Sequence, residues 1–184
     1  MGGTWKDESS SLNTKGAPIE IIEIAGERFE FRHVDIQLAL YEFFTSFGSI
    51  LDRLTYEIDM LYKLGIPQQN RYWGTLTNAK GQYLAILKGK TEDLANLLGD
   101  YVTKFKMAIR YRNRLVHDGI IHFEVERGHI GLRINLAEKP DDDESNFNVN
   151  AIEFCEDKKK EVLTLLNESY MLMLQYFENH KEVV

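Results

Sequence analysis

Lys106, Arg110, Asn113 and His117 follow one another at steps of four, three and four residues, the spacing that lines one face of a helix. Gly119 stands two residues beyond His117 and is a natural stop, because glycine enters the left-handed region without steric cost. His117 is therefore expected in the last turn, where the helix dipole favours imidazolium. An imidazole that titrates near neutrality, an amide to orient it and arginines to hold an anion are the material of general acid/base chemistry on a phosphate ester. Such chemistry asks for no metal ligand set, and neither a metal nor another cofactor is expected.

Beside that row runs an apolar stripe. Leu94, Leu98, Tyr101, Phe105 and Ala108 step by four and three, and the next steps land on Arg112 and Leu115, which places Arg112 at a core-facing position. A buried guanidinium without a partner costs several kcal/mol, so Arg112 needs a counter-charge, a route to water or an interface. Residues 101–117 hold five basic side chains (Lys104, Lys106, Arg110, Arg112, Arg114) and no acidic one. The whole chain carries −7, which argues against a protein that coats nucleic acid generally. The basic charge is confined to this one helix.

The run Arg112-Asn113-Arg114-Leu115-Val116-His117 resembles the Arg-x4-6-His motif of the HEPN superfamily, including the polar residue that commonly follows the arginine. The resemblance covers this short motif and the helical architecture. It implies catalytic roles for Arg112, Asn113 and His117, and it implies either a metal-independent ribonuclease or an inactive RNA-binding or scaffolding relative. Lys106, Arg110 and Arg114 would then hold backbone phosphates. Arg110 also stands at a permitted spacing from His117; Arg112 is preferred for its Asn113 neighbour and its place on the stripe. Arg28 and His33 spell the same bare pattern, but without the polar residue, in a strand-like stretch and ahead of the helices. One subgroup, the toxins paired with nucleotidyltransferase antitoxins, has tyrosine two residues after the histidine. Gly119 occupies that position here and argues against that pairing.

At 43% hydrophobic and 28% charged over 184 residues, the chain suits one domain, expected over 18–184 after a disordered tail over 1–17. No run approaches the roughly 18 apolar residues of a membrane helix, and the first residues offer neither a signal peptide nor a myristoylation site. A cytoplasmic protein with no membrane partner is expected. Cys155 is the only cysteine, so no internal disulfide or cysteine metal cluster can form. It is read as a core thiol on a stripe with Ile152, Val162 and Leu166.

The elements that must position the motif follow from periodicity. Alternating Ile22, Ile24, Phe29 and Phe31 predict a β-hairpin over 19–32. Leu40, Phe43, Phe47, Ile50, Leu54, Ile58 and Leu61 predict a core helix of nearly 30 residues, stopped by Gly65 and Pro67. A short helix is expected around 79–87. Thr91, with Glu92 and Asp93 behind it, is expected to cap the motif helix. After Gly119 the period becomes two, and a second hairpin is expected near 120–136, with His122 and His129 as solvent residues. The acidic stretch 140–146 has the Asp-x-Asp-x-Ser opening of a calcium loop but lacks its glycine and its bidentate glutamate, so a solvated linker is expected. Asn150 and Glu153 predict a capping box for a last helix carrying Val162, Leu166, Tyr170, Met173 and Phe177. Glu30-x-x-His33 is half of a di-iron motif with no second copy.

These readings combine into a mainly α protein, a HEPN-like antiparallel bundle of four or five helices with two added β-hairpins. Its expected activity is metal-independent cleavage of RNA through the 2′-hydroxyl. The alternatives are a non-catalytic RNA- or nucleotide-binding module and a dimeric interaction protein. Arg112 and His117 are five residues apart, about 140° around a helix of 3.6 residues per turn. One helix does not aim both at one phosphate, so a homodimer with the two motif helices near its twofold axis is expected.

Overall fold

The computed structural model describes residues 20–24, 27–78, 81–127, 132–140 and 146–180; the expected tail, His129 and most of the acidic stretch lie outside them. The chain is mainly helical, as its periodicity predicts. A hairpin of β1 (Glu20–Ile24) and β2 (Glu27–Phe31) leads into α1 (His33–Tyr62). Two short helices follow, α2 (Trp73–Leu76) and α3 (Gln82–Lys90), and then the motif helix α4 (Glu92–Asp118). Strands β3 (Phe123–Arg127), β4 (Leu132–Ala137) and β5 (Phe147–Asn150) form an antiparallel sheet in that order, and α5 (Ala151–Asn179) ends the fold. No helix among the described residues is long and apolar enough to cross a membrane.

Three long helices make the core, and ring contacts give their directions. Phe44 and Phe47 of α1 meet Tyr111 and Phe105 of α4, which sets those helices antiparallel. Phe44 and Tyr62 meet Phe154 and Tyr176 of α5, so α1 and α5 run parallel, with α4 opposed to both. Leu51, Leu54 and Ile58, Leu98 and Phe105, and Leu165 are fully buried between them. Burying one such side chain stabilises by about 1.5–3 kcal/mol.

The ends of the helices show where local chemistry decided. α1 stops at a left-handed Lys63 (φ 50), and the corner beyond it is built on Asp59. Asp59 Oδ1 accepts from the Ile66 N–H at 3.0 Å and Oδ2 pairs with Arg71 Nε at 2.6 Å. Thr91 precedes α4 as expected, but its hydroxyl makes no capping bond. Gly119 closes α4 in the left-handed region (φ 74), its N–H donating to the Leu115 carbonyl at 2.9 Å. Asn150 caps α5, accepting from the Ile152 and Glu153 N–H groups. The second expected hairpin is extended by β5, which pairs with β4 through a bulge at Leu136 and Ala137.

Two stripes lie one position from where periodicity placed them. On α1 the buried positions are Phe44, Leu51 and Tyr62, and Ile50 is exposed. On α5 they are Val162, Leu165, Ser169 and Met173, which leaves Tyr170 and Phe177 about half exposed. Ile152, expected to share a core stripe with Cys155, is exposed, while Cys155 is half-buried.

Candidate functional site

The C-terminal half of α4 is where the expected residues gather. Its buried seam runs Leu98, Tyr101, Phe105, Ala108, Tyr111 and Leu115, so the core position expected for Arg112 belongs to Tyr111. Tyr111 is 1% exposed and its hydroxyl donates to the Ala137 carbonyl. Burial pushes that hydroxyl well above the ordinary tyrosine range, which keeps it neutral and donating.

Arg112 lies at the edge of the seam, its side chain 34% exposed. It crosses α1 at Gly48, where a Cβ would stand 2.9 Å from Arg112 Nε and 3.2 Å from Cγ. Only a residue without a side chain lets the guanidinium lie that close. Nη2 donates to Asp52 Oδ2 and Nη1 to Asn113 Oδ1, each at 3.4 Å. Asp52 also accepts from the Trp73 N–H at 2.9 Å, so one carboxylate links α1, α2 and α4. The arginine thus has both a counter-charge and a route to water, two of the solutions its position demanded.

Lys106, Arg110, Asn113 and His117 are all exposed. Asn113 joins this row to Arg112 through its side-chain oxygen. His117 stands in the last turn of α4. Arg114 is placed differently: its side chain is only 19% exposed, its Nε lies 2.7 Å from Asp118 Oδ2, and its Nη2 is 3.4 Å from His122 Nε2. Of the three expected phosphate contacts, Lys106 and Arg110 share the face of His117, whereas Arg114 is engaged locally.

Gly48 and Asp52 were not foreseen as parts of this site. A glycine inside a helical pattern is a mark of close approach, and it was the one available signal. His33, the histidine of the second bare pattern, opens α1 and stacks on Phe123 at 5.0 Å between ring centroids. His122 is exposed as expected, yet with His33 it lines a groove beyond the end of α4. Comparison with known proteins finds no matching family model, no matching curated protein and no matching solved structure.

Proposed function

We propose that the protein is a metal-independent endoribonuclease of the HEPN type, acting as a homodimer. The observation that carries this reading is Asn113, whose oxygen ties the guanidinium of Arg112 to the exposed face that holds His117, Lys106 and Arg110. In the reaction the RNA supplies its own nucleophile. The 2′-oxygen attacks the adjacent phosphorus as its proton leaves, the bond to the 5′-oxygen breaks, and that oxygen takes up a proton. His117 moves the proton at the 2′-hydroxyl or at the leaving group, and Arg112 holds charge on the phosphorane. Among the described residues Arg112 uses two donors, both in long contacts; a guanidinium has five. Because Arg112 leans onto α1 while His117 sits on the outer row, a second copy supplies the complementary half of each site.

A second reading has one observation in its favour. The bridge from Arg112 to Asp52 also fits a structural staple in a non-catalytic RNA-binding or interaction module. Incubating the purified protein with mixed RNA in EDTA separates the two. The expected result is cleavage to 2′,3′-cyclic or 3′-phosphate ends, lost in both Arg112→Ala and His117→Ala and recovered in a mixed dimer of the two. Salt-sensitive RNA binding without cleavage would support the non-catalytic reading, and activity dependent on a divalent ion would overturn the mechanism.

A further inference from the structure

The segment that leaves the motif helix forms one wall of a groove. Its volume is about 390 Å³, and it is lined by His33 and Gln37 of α1, by Ile120, His122 and Phe123 after the Gly119 cap, and by Phe147 of β5. That size falls within the range of pockets that hold small molecules, roughly 300–1,000 Å³. The lining is mainly apolar, and Ile120 is 52% exposed.

Three features narrow what it holds. His33 and Phe123 set two rings together, 5.0 Å apart and tilted by 40°, which makes an aromatic wall for a flat ligand. Gln37 donates through Nε2 to the Ile121 carbonyl at 3.1 Å, while its buried Oε1 accepts no hydrogen bond among the described residues. A ligand carrying an N–H would supply that donor. Finally, the groove lies where the basic run of α4 ends, with Arg114 3.4 Å from His122. Positive charge therefore meets the aromatic wall. A peptide or acyl chain would leave Gln37 unanswered and make no use of the cations. A free anion would make no use of the rings.

We propose that this groove seats the base of an unpaired ribonucleotide, with its phosphate toward Arg114, His122 and the end of α4. Aromatic side chains recognise single strands by stacking on splayed bases, a contact that duplex RNA cannot make. The proposal rests on the ribonuclease reading and names its substrate class: single-stranded RNA, with a base held beside the phosphate that is cut.

The test is calorimetric titration of the full chain with 3′-mononucleotides, with ribose 5-phosphate and inorganic phosphate as controls. Nucleotide binding is expected, at least tenfold tighter than for either control. Ile120→Glu, which puts a carboxylate at the groove without disturbing the core, should weaken it by at least tenfold with an unchanged melting temperature. Gln37→Met should weaken it as well, and His117→Ala should leave it intact. Nucleotides that bind no better than phosphate, or binding indifferent to Ile120→Glu, would overturn the groove. Groove-dependent binding by a chain that never cleaves RNA would uphold it while the ribonuclease reading fails. Cleavage of single and double strands alike, unaffected by Ile120→Glu, would do the reverse.

Discussion

Replacing Gly48 by alanine tests whether Arg112 is held in place for chemistry. The added methyl would meet Arg112 Nε at 2.9 Å, Cγ at 3.2 Å and Cδ at 3.4 Å, and the first of these is too close to persist. Something must move. Gly48 lies in the middle of a 30-residue helix, whereas Arg112 ends in two contacts of 3.4 Å, so the side chain yields and swings toward water. The helix gains about 0.5–1 kcal/mol when alanine replaces an interior glycine. Losing a half-exposed ion pair costs about 0–1 kcal/mol. The two effects nearly cancel, and Tm should stay within about 4 °C of the parent. Cleavage should not survive. If Arg112 stabilises the phosphorane, misplacing it should lower kcat by roughly 10²–10³, the range for loss of one preorganised donor. Gly48→Ala combined with Arg112→Ala should be no worse than Arg112→Ala alone, because both remove the same interaction. Single-turnover cleavage beside thermal melts reads both quantities. Full activity in Gly48→Ala with none in Arg112→Ala would refute the positioning role. A fall in Tm beyond about 10 °C would mean that the helix, and not the arginine, had moved.

Two further outcomes follow from buried groups. Asp59→Ala leaves the Ile66 N–H and the Arg71 guanidinium without the carboxylate that holds both. Breaking such a pair costs about 3 kcal/mol, so calorimetry should show Tm lower by roughly 6–12 °C; an unchanged Tm would mean that the corner after α1 does not depend on it. The Cys155 thiol is pushed up to about 12 by burial, so at neutral pH its reactive thiolate is depleted by about 10³ relative to an ordinary cysteine. Iodoacetamide should label it far more slowly in the native protein than in urea, and equal rates would contradict its burial.

The motif helix was legible almost to the residue, because its signals are local: acids at the first turn, apolar steps of three and four, and a glycine stop. The stripes of α1 and α5 were misplaced by one position for a physical reason. α1 is buried on two sides, against α4 and α5, so Phe43 and Phe44, or Ile50 and Leu51, are both apolar and the period alone does not choose between them. On α5 the seam passes through Ser169, fully buried, and a polar residue there hides it. Gly48 and Asp52 were silent for another reason. Neither contributes to a hydrophobic period, and their roles exist only once α4 lies across α1, some sixty residues away in the chain. The strand β5 was hidden in the same way, since its identity depends on pairing with β4.

The energetics of the Gly48 and Arg112 pair bear on why the arginine is there at all. A staple would profit from a short, bidentate, enclosed bridge, and Asp59 with Arg71 supplies one at 2.6 Å with the carboxylate 2% exposed. Arg112 reaches Asp52 through a single long contact, with both side chains about a third exposed, and such a pair contributes about 0–1 kcal/mol. The interior glycine that admits it costs about 0.5–1 kcal/mol. Gly48 and Arg112 therefore give the fold almost nothing on balance. Local rules are broken without a compensating gain in stability mostly at functional sites, and the same molecule shows at Asp59 what its structural arginine bridge looks like. The contrast favours reading Arg112 as a residue held for what it binds.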